Sequence, residues 1–244
     1  NDYVTCWLGT NAAITATDEL HIFTAGNLTV QIASDWAFTG TKMVFDAGAE
    51  FGGAFGEFTT EFNIQTGTQY ATIVGNHACR FTQVRAGYAA WELQYSSITG
   101  VHFEDKHPAP NASYHRRTDC NGAKIYDCEF TYLGYYAAAS TSHPLFLSNG
   151  ANVYTILDGI TINWNNSSGF MMFATGGNRM VAKNFVVKGD NIDTRVLYTS
   201  GLSRFTLDGL HLDDGNFELL YNSHLIPLGA DIIINNITVS SLGF

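Results

Sequence analysis

Seven side chains in the C-terminal half of this 244-residue chain could together hold and cut a sugar polymer: Tyr135, Tyr136, Trp164, Asp190, Asp193, Asp213 and Asp214. Aromatic rings offer flat apolar faces on which a sugar ring stacks, and carboxylates accept hydrogen bonds from its hydroxyls. Breaking a glycosidic bond needs two carboxyl groups, ~5 Å apart when configuration is retained and ~6.5 to 9.5 Å apart when it is inverted. Neighbouring strands of a parallel stack lie ~4.8 Å apart. Asp190 or Asp193 facing Asp213 or Asp214 one strand away therefore meets the first spacing, and acids two strands apart meet the second. Glu218, beside the last of these loops, is a further candidate, because a lone Glu pointing inward would need a partner. The plainer alternatives are that the aromatics cover their own loops in a chain that is 14% aromatic, and that Asp beside Gly closes tight turns through Asx hydrogen bonds.

Elimination chemistry asks for different groups: a base such as Lys, Arg, His or Tyr beside an acidic sugar, often with Ca²⁺ held by carboxylates. The stretch 104–119 holds His107, Tyr114, His115, Arg116 and Arg117, the one cationic cluster in the sequence. Its alternative is a solvated outer turn bent at Pro108 and Pro110. No GxSxG, P-loop or HExxH pattern occurs, nor a glycine- and aspartate-rich Ca²⁺ repeat. Cys6, Cys79, Cys120 and Cys128 show no zinc-ligand spacing. The sequence thus calls for no metal and no cofactor.

The elements that must position these groups are strands. Only 14% of the chain is charged while 45% is hydrophobic, which disfavours long solvent-facing helices, whose wet face consumes Glu, Lys and Arg. A formal charge of -10 and a pI near 5.1 exclude the basic footprint of nucleic-acid or anionic-membrane binding. No apolar run approaches the ~20 residues that span a bilayer. The sequence opens at Asn1 without a signal-peptide pattern, so a soluble, processed product or fragment is expected.

The pattern of these strands repeats. Segments 155–162, 180–187, 205–212 and 232–239 each read as a short apolar strand, a two-residue break and a second short strand. The first apolar residue after the break gives Ile160, Phe185, Leu210 and Ile237, spaced 25, 25 and 27, and the series extends backward to Cys128 and Val101. The second break position holds Gly100, Asp127, Gly159, Asn184, Gly209 and Asn236, all types that tolerate positive φ. Phe103, Phe130, Ile162, Val187, Leu212 and Val239 follow two residues after the markers and complete an inward column. Between them lie His102, Glu129, Thr161, Val186, His211 and Thr238, on the face that should be wet. A third strand per repeat is expected at 145–147, 170–173 and 196–198. The loops of variable length, 131–144, 163–169, 188–194 and 213–216, stack into the ridge that carries the candidate aromatics and acids. The inward place of Cys128 predicts a buried free thiol with no bond to Cys120.

These residues resemble the right-handed parallel β-helix of pectate-lyase-like proteins and phage tailspikes, with Asn or Gly at its tight turn. The resemblance covers about residues 90 to 240 and, more loosely, 43–51. It implies an all-β domain over 43–244, with 1–42 as a strand-rich cap over the exposed end of the stack. It further implies a tailspike-like virion surface protein, extracellular or on the virion surface, that recognises and in some members depolymerises a polysaccharide. Tyr135, Tyr136, Trp164, His115, Arg116 and Arg117 would bind substrate and the four aspartates would cut it. The partners so implied are polysaccharide, and either two further copies in a homotrimer or neighbouring virion proteins. The alternatives are a secreted polysaccharide lyase or glycoside hydrolase and a purely structural virion component.

Overall fold

A computed structural model describes residues 19–22, 29–30, 36–37, 42–45, 50–51, 62–63, 71–83, 89–105, 116–132, 146–148, 153–164, 170–175, 179–189, 192–199, 204–213, 215–220 and 231–240. These residues are all-β, with no helix among them. They form a thirteen-stranded and an eight-stranded sheet. Every strand pairing is parallel. Parallel neighbours cannot be joined by a tight hairpin, so the chain alternates between the sheets before it returns to pair with itself.

One row of the larger sheet runs through Glu19–Ile22, Lys42–Phe45, Ala71–Gln83, Ser96–Asp105, Lys124–Tyr126, Tyr154–Asp158, Arg179–Gly189, Arg204–Leu212 and Ile232–Val239. Glu129–Tyr132 and Thr161–Trp164 continue it beyond the break, between Ser96–Asp105 and Arg179–Gly189. The smaller sheet stacks Ala89–Glu92, Arg116–Asp119, Phe146–Ser148, Phe170–Thr175, Ile192–Thr199 and Gly215–Leu220, of which Phe146–Ser148, Phe170–Thr175 and Ile192–Thr199 fall at the expected third strands. Its row also takes in Trp36–Ala37 and Phe62–Asn63. The larger sheet reaches back to Glu19–Ile22, so part of the region expected to be a cap is paired in parallel with the first repeat.

Strand alternation sets the core. Val101, Cys128, Ile160, Phe185 and Leu210 are all buried, as are Phe103, Phe130, Ile162, Val187 and Leu212 two residues later. Ile237 and Val239 stand in the same register but are half-buried, since among the described residues their strand pairs on one side only. Each repeat thus removes apolar surface from water only by lying on its neighbour, which a single repeat could not do alone.

All six residues of the break column have positive φ, from 49° at Asp127 to 86° at Gly209. The column also alternates Gly with Asp or Asn, and contacts between repeats explain why. A Cβ on Gly159 would lie 2.5 Å from Asp127 Oδ1, and one on Gly209 would lie 3.4 Å from Asn184 Oδ1. In the other direction Asn184 Nδ2 donates to Asp158 Oδ1 and Asn236 Nδ2 to Asp208 Oδ1, each at 2.7 Å. At Gly159 the Asx side chain of the preceding repeat fills the space that glycine leaves open, while at Gly209 a Cβ would reach Asn184 at ordinary van der Waals distance.

Cys128 and Cys120 are both buried free thiols. Burial pushes the Cys128 thiol up to about 12 from an ordinary 9.0, despite backbone hydrogen bonds from Val101 and Gly100 that pull it down. The raised value means that the fold favours the protonated thiol. Its contribution is whole below pH 9 and is lost as pH climbs from about 9 toward 12, where only the unfolded chain ionises freely. Thiol reagents at pH 8 should label Cys128 at the unfolding-limited rate in native protein and at once in urea. Cys128→Val should flatten the fall in stability above pH 9. Fast native labelling would place the sulfur outside the core.

Candidate functional site

Three strands carry a connected polar patch on the face opposite Phe103 and Phe130. Ser96–Asp105 contributes His102 and Glu104, Glu129–Tyr132 contributes Glu129 and Thr131, and Thr161–Trp164 contributes Asn163. Backbone pairing sets Glu129 beside His102, and Thr131 beside both Glu104 and Asn163. His102 Nε2 lies 2.8 Å from Thr131 Oγ1 and 3.9 Å from Glu129 Oε1. Asn163 Nδ2 donates to Glu129 Oε1, and to Thr131 Oγ1 at 3.2 Å. The alternation that sends Phe103 inward assigns this face to solvent, yet Glu104 is 8% exposed and Thr131 5%. The carboxylate of Glu129 keeps more contact with water, its side chain being 43% exposed.

This patch borders the long connectors. Segments 106–115 and 133–145 leave its first two strands for the smaller sheet, and 165–169 leaves the third. Further along the stack the corresponding connector shrinks to 190–191, because Lys188 and Gly189 still pair with Asn163 and Trp164 while Ile192 and Asp193 already pair with Gly215 and Asn216. The strands therefore run further than the loop boundaries read from sequence, and the expected loop 188–194 is mostly strand. Asp193 belongs to the smaller sheet, paired with Phe170 and Asn216.

Asp213 is the one sequence candidate whose side chain is described. Its Oδ1 lies 3.3 Å from His211 Nε2, and His211 Nδ1 is 2.9 Å from Thr238 Oγ1. Ser240 Oγ donates to the carbonyls of Asp213 and Leu212. Asp213, just past the end of its strand, is thus engaged with the imidazole two residues before it, both side chains being more than two-fifths exposed. Of Trp164, Arg116 and Arg117 the strand backbone is described: Trp164 pairs with Tyr132 and Gly189, and the two arginines with Ala89 and Ala90. Tyr135, Tyr136, His115, Asp190 and Asp214 lie outside the described residues.

Chemically the patch offers two carboxylates, an imidazole, a hydroxyl and an amide. Glu104 and Glu129 sit on adjacent strands offset by two residues, which places their backbones about 8 Å apart. Two carboxyl groups are what hydrolysis of a glycosidic bond requires. The sequence pattern places Glu129 in the wet column but does not pair it with Glu104. The available signal is the two-residue alternation around Phe103 immediately ahead of a long connector. Among the described residues no group of three or more His, Cys, Asp or Glu is arranged to hold a metal ion, and no helix is long and apolar enough to cross a membrane. No protein-family model, curated protein or solved structure matches the chain.

Proposed function

We propose that the chain is a right-handed parallel β-helix that recognises an extracellular polysaccharide along the outward face carrying His102, Glu104, Glu129, Thr131 and Asn163. The observation that carries this reading is a polar network of His102, Glu129, Thr131 and Asn163 beside Glu104, a residue 8% exposed, on a face where strand alternation calls for open solvent. Burying a carboxylate costs free energy unless hydrogen bonds compensate, so an ordered polar patch of this kind suits a site that must meet sugar hydroxyls in fixed positions. The connectors leaving it bring Tyr135, Tyr136 and His115 in sequence, and Trp164 ends its third strand. Glu104 and Glu129 extend the proposal to hydrolysis, with release of oligosaccharide as the readout. The tailspike-like version of the proposal is a trimer on a virion surface, which light scattering reads directly.

A glycan array followed by affinity electrophoresis on the retained polymer tests the site. Glu104→Gln keeps the shape but loses a charged acceptor, and Trp164→Ala removes a stacking face. Each should weaken retention by about tenfold or more with little change in melting temperature. An array that retains no glycan, or full retention by both variants, rejects the proposal.

A further inference from the structure

The first half of strand Arg179–Gly189 carries two exposed cations, Arg179 and Lys183, and their surroundings differ. Lys183 registers with Asp158 on one neighbouring strand and with Asp208 on the other, so charge alternates in sign across the sheet. Arg179 registers instead with Tyr154 and Arg204. Like charges set directly opposite on neighbouring strands repel, and these two side chains lean apart. The Arg179 guanidinium carbon lies 5.9 Å from the ring centroid of Tyr154, while Arg204 Nε bonds Asp231 Oδ2 at 3.1 Å. Among the described residues Arg179 has no carboxylate partner. We propose that Arg179 and Arg204 form a site for an oxyanion, a carboxylate, sulfate or phosphate group carried by a saccharide or free in solution, which enters between the two guanidinium groups.

The chemistry of the pair fits that ligand. A guanidinium presents its N–H groups as a planar fork that matches the oxygens of a carboxylate or phosphate. Two such forks on adjacent strands, ~4.8 Å apart along the stack, can each bind one edge of a single oxyanion, which turns their mutual repulsion into shared attraction. Two cations against the one carboxylate of Asp231 leave a local positive surplus, in a chain whose formal charge is -10. An anion is therefore drawn to this spot and repelled by the molecule as a whole. Tyr154 is a positioning residue, its ring holding the Arg179 side chain by cation–π attraction. Arg204 is 57% exposed, so a ligand reaches the pair without any opening of the fold. Arg179 and Arg204 precede the break on their strands, whereas His102 and Glu129 flank or follow it, so the oxyanion site stands independently of the polar patch.

Calorimetric titration of the full chain at constant ionic strength tests the site, with sodium sulfate, sodium phosphate and oligoglucuronate as probes and a neutral glucose oligomer as the control. Saturable binding of at least one anionic probe is expected. Saturation by the inorganic anions identifies a free oxyanion as the ligand, and saturation by oligoglucuronate alone identifies one borne on a saccharide. Arg179→Gln and Arg204→Gln should each weaken that binding by about tenfold or more, while Lys183→Gln, which removes a cation already set between two acids, should leave it unchanged. Without ligand, Arg179→Gln should keep the melting temperature or raise it slightly, because it removes a repulsion. Absence of saturable binding by every anionic probe overturns the proposal. So does full binding by both arginine variants, an equal loss in Lys183→Gln, or equal binding of the neutral oligomer. A fall in the melting temperature of ligand-free Arg179→Gln would assign the arginine to holding the fold together and overturn it as well.

Discussion

Phe130→Ala is expected to destabilise the protein by about 3–5 kcal/mol, the cost of emptying a fully buried aromatic site. Phe130 stacks on Phe103 with ring centroids 4.9 Å apart and meets Phe146 edge to face at 5.4 Å. Phe103 in turn meets Trp91 at 5.1 Å, and Phe146 meets Phe185 at 5.7 Å. The ring thus joins repeats on one side and the two sheets on the other. The cavity cannot close by rotating one neighbour, because each ring is already fixed by the next. Urea denaturation gives the difference, with Phe130→Leu as the control that keeps most of the volume. A loss below about 1 kcal/mol for the alanine variant would mean that the ring lies outside the core.

Leu210→Ala and His211→Ala form the second test, because these neighbours point in opposite directions. Leu210 is 1% exposed between Phe185 and Ile237 in register, and truncating it should cost about 2–5 kcal/mol. The lower part of that range is expected, since its half-buried neighbour Ile237 lets the site relax. His211 contacts Thr238 and Asp213 at the surface, and exposed pairs of that kind contribute about 0–1 kcal/mol. Equal losses, or a larger loss at His211, would show a register shifted by one residue, which exchanges every inward and outward side chain.

The break column is the most legible part of the fold. Residue types that accept positive φ are few, and six of them at one register leave little choice of structure. Their Gly and Asx alternation is visible too, but its cause lies between repeats, in side-chain volumes such as Asp127 against Gly159, which no single segment reveals. Residues 52–90 are illegible for a different reason. Val74 pairs with Thr99 and Cys79 with Val101, so the break there is longer and His77, not a glycine, takes φ 60°. Tyr95, at φ 50°, hides another turn behind a residue type that gives no turn signal, although its ring covers Gly122.

The candidate site is only half legible. Alternation puts His102 and Glu129 on the outer face, and the structure keeps them there. The burial of Glu104 and Thr131 on that same face depends on what lies over the strands, and a two-residue period carries no information about that. The aromatic and acidic ridge follows from loop lengths alone. Backbone pairing consumes much of those loops, which moves Asp193 into a strand of the other sheet.

The parallel pairing between repeats also governs how such a chain must come together. With no hairpin to start from, the first hydrogen bond between neighbouring strands closes a loop of roughly 25 residues, at an entropic cost of about 3 kcal/mol. No local contact offsets that cost, so the opening step is slow. Once two repeats have met, each further turn of chain lands on a finished template, and its burial offsets its own closure. Assembly then proceeds as a crystal grows, with a rare nucleus, steady addition at an open face and a growth front that stays reactive until something covers it.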